Sequence, residues 1–351
     1  MIIQSEKIVN NPKLSVVIAT YNQVNYIEQT VMSVLSQHTT FPFEVIVADD
    51  GSNDGERDLL IDIQKKYPEI LRLIFNDKNL MVTLNYVNAI HEANGEFIAT
   101  LDGDDYYLTK YALQKLVDYL DNHLDVSLVH GGFRMFQSDT GKILAEYDFW
   151  ESPMLNTNGI ESAYCVLTDN YSRYPLGSSS CFRKSIYIEG CEKYAGIIES
   201  TINFGEGTIL NVVMAMAGKY GFIKEIISAY RVLPNSLSHF STNKENFEFC
   251  CKYTYAKFKT AEEIGIDETL FEQLVIVLLK KLELNALRFN QLDNFYSFLN
   301  KIELTNFYAY SRNAIERYNN SFVKYVLHIR LVFFYLPYQW IKKIKVLKSL
   351  K

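Results

Sequence analysis

Short, mostly apolar runs alternate with amphipathic stretches through the first half of the chain. Residues 14–19 (LSVVIA), 43–48 (FEVIVA), 71–75 (LRLIF) and 96–101 (EFIATL) are too short for helices and have no regular polar face. Such runs suit strands covered on both sides, as in a parallel sheet. Between them, residues 23–37, 54–67, 80–93 and 109–122 carry apolar side chains at helical spacing, for example Ile27, Val31, Val34 and Leu35. Pro68 ends the second helix, Asn94-Gly95 closes the third, and Thr109 is the expected N-cap of the fourth. Residues 126–136 read as a further strand. This alternation predicts an α/β fold with a doubly wound sheet, in which ligands bind beyond the carboxyl ends of the strands.

After Gly141 the pattern loosens. Residues 148–158 read as a loop and 159–170 as a helix. Residues 176–182 read as a strand carrying the polar run Gly177-Ser178-Ser179-Ser180, residues 208–217 as a helix and 220–227 as a strand. From about Asn243 the sequence is helical and aromatic. A boundary near residue 240 therefore divides the chain into 1–240 and a helical region, 241–351.

With 351 residues, 48% hydrophobic and 22% charged, the chain has enough apolar material for a large core and is not a disordered polypeptide. A net charge of −6 gives no overall basic field, so no nucleic-acid partner is expected. The five cysteines include no C-x-x-C pair, which argues against a disulfide framework or a thiolate zinc site and for a cytoplasmic location. The N-terminal residues MIIQSEKIVNNPK have no apolar run, so no signal peptide is expected there.

Candidate chemistry lies just past the strands. Asp49-Asp50-Gly51-Ser52 follows the second, Asp102-Gly103-Asp104-Asp105 follows the fourth, and Glu206 opens a later helix. Three carboxylates in one turn repel one another, and a cation relieves that repulsion. Hard oxygen ligands favour Mg²⁺ or Mn²⁺, and Mg²⁺ commonly bridges to substrate phosphates. The competing reading is that Asp and Gly are ordinary turn residues.

Three segments taken together, LSVVIATYNQVNYIEQTVMSVLSQ, FEVIVADDGSNDG and GEFIATLDGDDYY, resemble the family 2 glycosyltransferases. The resemblance spans about residues 13–240. It implies the GT-A fold, a mixed Rossmann-like sheet, and an inverting enzyme that uses a nucleotide-diphosphate sugar, chiefly a UDP-sugar. By this resemblance Thr20, Tyr21 and Asn22 line the nucleotide pocket, with Glu28 as a companion. Asp50, with Asp49 beside it, accepts from the uracil or ribose. Asn85 falls on a helix facing the nucleotide, preceded by Leu84 where the family commonly has Arg. Asp102 and Asp104 match the D-x-D element, with Gly103 between them. Asp104 is the implied metal ligand, Asp102 lies nearer the ribose and metal-bound water, and Asp105 is an alternative ligand. Glu206 matches the acidic residue that serves as catalytic base. Arg231 pairs with a site carboxylate or the pyrophosphate, and His239 is a further candidate metal ligand.

The implied acceptor is a hydroxyl of a glycan, or of a lipid-linked glycan, in surface polysaccharide assembly. Residues 321–351 carry seven Lys or Arg and no Asp or Glu, interleaved with Phe333, Phe334, Tyr335 and Trp340. A basic, aromatic, amphipathic segment suits the anionic inner face of a cytoplasmic membrane; a helix on the core or a homodimer contact would use the same surface. The rival from another class is a non-catalytic sugar-nucleotide or glycan-binding protein on a transferase scaffold. Loss of the motif carboxylates would favour it, and they are intact. A nucleotidyltransferase would want a Gly-rich phosphate loop, and the turn at 20–25 has neither Gly nor Lys.

Overall fold

The computed structural model describes residues 1–302 apart from 7, 174, 176, 202–206 and 234–241. The elements, in order, are β1 (Ile2–Ile3), β2 (Leu14–Thr20), α1 (Ile27–Leu35), β3 (Phe43–Asp49), α2 (Glu56–Lys66), β4 (Leu71–Phe75) and α3 (Met81–Glu92). Then come β5 (Phe97–Asp102), β6 (Tyr106–Tyr107), α4 (Ala112–Asn122), β7 (Val126–Gln137) and β8 (Ile143–Tyr147). These are followed by α5 (Ile160–Thr168), β9 (Ser180–Arg183), α6 (Lys184–Lys193), α7 (Ala195–Thr201), α8 (Gly207–Ala217) and β10 (Lys219–Val232). Three helices complete the described chain: α9 (Asn243–Glu263), α10 (Glu268–Phe289) and α11 (Leu292–Ile302).

One mixed sheet runs β1-β4-β3-β2-β5-β9-β7-β10-β6, with β8 hairpinned onto β7. β2, β3, β4 and β5 are mutually parallel, with Leu14 opposite both Phe43 and Phe97. β9 is antiparallel to β5 and β7, and β10 runs parallel to β7. Every residue of β2, β3 and β4 is buried, which is why these strands read as continuous apolar runs. Val16, Ile18, Val45, Val47, Leu73 and Leu101 form the core, with Ile27 and Val31 of α1 and Leu113 and Leu116 of α4. Burying such a side chain fully contributes about 1.5–3 kcal/mol.

Several local expectations differ from what is observed. The fourth helix begins at Ala112 behind Tyr111, which makes no side-chain cap; Thr109 Oγ1 only accepts from the Tyr111 N–H at 3.4 Å. The polar run is a 3₁₀ turn over Gly177–Ser179, and the strand begins at Ser180. Gly95 is not a left-handed helix cap. A Cβ there would lie 2.4 Å from the Ser15 backbone nitrogen, so the glycine lets α3 return close against β2.

The chain falls into two compact units, Met1–Gly265 and a second that begins at Ile266. The expected boundary near residue 240 lies within the first. α9 belongs to that first unit: Lys257 Nζ pairs with Asp169 Oδ1 at 2.6 Å, and the Gly196 N–H donates to Glu263 Oε1 at 3.3 Å. A capping box at Thr242 and Glu245 starts α9. In the second unit, Asp267 caps α10 by accepting from the Leu270 N–H, and α10 ends at left-handed Asn290 before α11.

Candidate functional site

The site forms at the carboxyl ends of β2, β3 and β5, where parallel pairing places Asp49 opposite Thr20 and Asp102 opposite the neighbouring Ala19. The two aspartates after β3 divide the work. Asp49, fully buried, accepts from the Gly51 and Ser52 N–H groups at 3.3 Å and from Arg57 Nε, and so shapes its own turn. Asp50 Oδ1 accepts from Asn76 Nδ2 at 2.9 Å and from the Leu80 N–H at 2.8 Å. Asn76 Nδ2 also donates to Asn85 Oδ1 at 2.9 Å, and Asn85 Nδ2 donates to the Ala48 carbonyl at 2.8 Å. Asn85 is thus committed to the protein framework that holds Asp50.

Glu56, at the start of α2, ties the first two loops together. It is fully buried, and accepts from Thr20 Oγ1, from the Gln23 N–H at 2.8 Å and from Ser52 Oγ at 3.1 Å. Burial pushes its carboxyl above the usual range, opposed by those three hydrogen bonds. Asn22 sits in the left-handed region at φ 53°, its N–H donating to Ser52 Oγ and its Oδ1 accepting from the Asn53 N–H. Tyr21 beside it is 44% exposed, so its ring lies open at the rim. Glu28 is exposed on the first turn of α1.

The acidic turn after β5 is pinned from three sides. The Gly103 N–H donates to the Ala19 carbonyl, the Asp105 N–H to the Asp102 carbonyl, and Thr30 Oγ1 to the Gly103 carbonyl. A Cβ on Gly103 would lie 2.4 Å from Thr20 Oγ1, so this position must be bare for β2 and β5 to meet here. Asp102 accepts from the Tyr86 hydroxyl at 2.8 Å and the Ser178 hydroxyl at 3.4 Å. Burial raises its pKa, and both hydrogen bonds oppose the rise. Burial and the charge of Asp102 push Asp104 up to about 7. Asp105 is raised well above the usual range by burial, then by the charges of Asp104 and Asp102.

Asp102 and Asp104 keep partial access to solvent, whereas Asp105 has none. Asp105 Oδ1 accepts from the Arg231 backbone N–H at 2.8 Å, and Oδ2 is buried without a hydrogen-bond partner. The carboxylate thus faces inward, joining the turn to β10. The Arg231 guanidinium makes no ion pair among the described residues. Its Nε donates to the Asp104 carbonyl at 2.8 Å and its Nη2 to Gln29 Oε1 at 2.7 Å. Tyr26, Tyr106 and Phe136 surround it, with centroids 4.6, 5.7 and 4.9 Å away.

Among the described residues, no group of three or more His, Cys, Asp or Glu side chains is arranged to hold a metal ion. A Mg²⁺-type site needs only one or two carboxylates when substrate phosphates and water fill the remaining positions. Asp102 and Asp104 fit that demand: they are two residues apart in one turn, partly open, and raised in pKa by burial, with the charge of Asp102 adding to the rise at Asp104, and a cation would favour the ionised forms. Glu206 and His239 lie outside the described residues. Gln29, Glu56, Asn76, Tyr86 and Ser178 were not evident from the sequence as site residues. Only Ser178 gave a signal, as part of an unusually polar run.

Comparison with known proteins fits this geometry. Residues 15–185 match the model of Glycosyl transferase family 2. This domain belongs to that family. An uncharacterised protein of Mycobacterium tuberculosis is 34% identical over 129 residues, 37% of this chain and 37% of its own length. A Bacillus subtilis protein named for glycosyl transfer in teichuronic acid biosynthesis, TuaG, is 35% identical over 109 residues, 31% of this chain and 42% of its own. The chain therefore spans less than half the length of these relatives. The crystal structure of S. aureus TarS superposes with a TM-score of 0.50 at 19% identity, covering 76% of this chain and 43% of that one. The glycosyltransferase domain has the GT-A fold.

Proposed function

We propose that this chain transfers a hexose-type sugar, with inversion, from a nucleotide-diphosphate donor to a hydroxyl of a glycan or lipid-linked acceptor. A UDP-sugar is the favoured donor. The carrying observation is the pair Asp102 and Asp104, partly open at the carboxyl edge of β5 beside the Asp50 framework, in a family 2 domain. A role in surface polysaccharide assembly is supported by the name of the relative TuaG.

In this reading Asp50 and the exposed Tyr21 receive the nucleoside, and the aromatic-boxed Arg231 holds the acidic turn in place. Asp102 and Asp104 would hold Mn²⁺ or Mg²⁺, which when bound offsets charge on the leaving diphosphate. The acceptor oxygen attacks the anomeric carbon as the bond to the diphosphate breaks. Glu206, immediately before α8 in sequence, takes the hydroxyl proton. The direct test is thermal unfolding with a panel of nucleotide sugars, with and without Mn²⁺. A donor at about 100 times its Kd stabilises by roughly 2.7 kcal/mol. One nucleotide sugar is expected to raise Tm in a Mn²⁺-dependent way; no shift with any of them rejects the reading.

Residues 321–351, which lie outside the described residues, are proposed as an anchor on anionic lipid at the inner membrane face. Among the described residues no helix is long and apolar enough to cross a membrane. Co-sedimentation with phosphatidylglycerol vesicles is expected to fall on deletion of 321–351 and on raising salt. Binding unchanged by either would reject the anchor.

A further inference from the structure

We infer that an open cavity between residues 151–156 and 169–172 is a docking subsite for an uncharged oligosaccharide segment of the acceptor; this rests on the transferase reading. The cavity has a volume of about 540 Å³, within the range of small-molecule sites. Glu151, Asn156, Asp169, Asn170 and Tyr171 line it with carboxylate, amide and phenol groups. Sugar hydroxyls both donate and accept, and such groups match them.

The cavity is preformed. The Ser172 N–H donates to the Glu151 carbonyl, and the Glu151 N–H to Ser172 Oγ, each at 2.8 Å. Beneath them, buried Trp150 donates from Nε1 to the Arg173 carbonyl at 2.7 Å. On the other wall, Asp169 is held at φ 51° by Lys257 Nζ at 2.6 Å and by the Tyr171 hydroxyl at 3.0 Å. A rigid polar wall recognises a flexible glycan with less ordering loss than a mobile one.

Charge narrows the ligand. Among the described residues no Lys or Arg lines the cavity, and Glu151 is exposed. An acidic glycan would meet like charge here, so the segment is uncharged. Position supports an acceptor more than a donor. The wall residue Ser172 lies six residues before Ser178, whose hydroxyl donates to Asp102. Six residues span at most about 20 Å, which sets the upper limit on the distance between this wall residue and the donor site.

The test uses the full chain and the double variant Glu151→Ala/Asn156→Ala, whose side chains are exposed and not part of the core. Probes are malto- and chitooligosaccharides and oligogalacturonides of two to six units, followed by ligand-observed NMR. Binding of a neutral oligomer by the wild type, at least tenfold weaker in the double variant, is expected, with the oligogalacturonides silent. Binding by no neutral oligomer, or equal binding by both proteins, overturns the subsite. Nucleotide-sugar thermal shifts on the same samples separate the two failures. A lost shift in the wild type rejects the transferase reading, whereas an intact shift with no oligosaccharide difference rejects the subsite alone.

Discussion

Replacing Asp104 with Asn is expected to abolish sugar transfer while making the metal-free protein more resistant to heat. In the proposed mechanism Asp104 would hold the divalent ion that offsets charge on the leaving diphosphate, and losing one such preorganised electrostatic group typically lowers kcat by about 10²–10³-fold. The stability gain follows from the same carboxylate. Burial and the neighbouring Asp102 push Asp104 up to about 7, so the folded protein binds this proton more tightly than the unfolded chain does. Its contribution is fully present below the ordinary carboxylate range near 4 and is lost as pH rises through about 7. An Asn has no proton to lose. Because Asp104 retains some solvent access, a gain of about 1 kcal/mol above pH 7 is a fair scale, or roughly 2–4 °C in Tm. Thermal unfolding of both proteins in chelator, at about pH 5 and about pH 8, should show the gap widening with pH. A variant that keeps full activity would remove Asp104 from the mechanism. A variant no more stable at the higher pH would show that the three carboxylates do not strain the turn.

The same turn shows how far the sequence could be read. β2, β3, β4 and β5 were legible because each is covered on both faces and therefore written almost entirely in apolar residues. β6 is two residues long and β8 is largely exposed, so neither leaves a run or an alternation to detect. α6 carries Gly190 in its middle, whose missing Cβ leaves room for Val213 of α8, only 2.0 Å from where that atom would sit. In the site, the acidic motifs were visible as clusters, but the roles within each were not. Asp49 and Asp50 are adjacent in sequence, yet one serves its own turn and the other meets Asn76, 26 residues on. The resemblance places Asn85 on a helix facing the nucleotide, and its amide bonds Ala48 and Asn76, a framework the sequence does not reveal. The resemblance pairs Arg231 with a carboxylate or pyrophosphate; within the protein its guanidinium bonds the Asp104 backbone carbonyl and Gln29, contacts that the local pattern does not show. Glu56 is an acid in the first turn of α2, and the approach of Thr20, 36 residues earlier, makes it a buried junction. Such assignments depend on long-range contacts, for which local pattern carries no signal.

A buried histidine far from these carboxylates in sequence governs the opposite end of the pH range. His130 lies on β7 with 4% exposure, 4.6 Å edge-on to Trp150 and 5.0 Å from Phe222, and its Nε2 has no hydrogen-bond partner. Burial pushes it down to about 3, against a weaker opposing hydrogen bond with the Gly131 backbone. The folded protein therefore keeps the ring neutral while the unfolded chain protonates near 6.5. Its contribution to stability is intact above about 6.5 and is lost as pH falls towards 3, at up to about 1.4 kcal/mol per pH unit. Asp104 acts in the reverse sense over part of this window, so the stability curve of the wild type alone would mix the two. Comparing the wild type with His130→Leu isolates the histidine, because the carboxylates are common to both. Denaturant unfolding followed by tryptophan fluorescence is expected to show the Leu variant losing stability more slowly on acidification, with the difference growing steadily below about pH 6. Parallel curves would mean that the ring gains a proton without global unfolding. Local opening at Trp150 or Phe222, the aromatic rings packed against His130, would allow that.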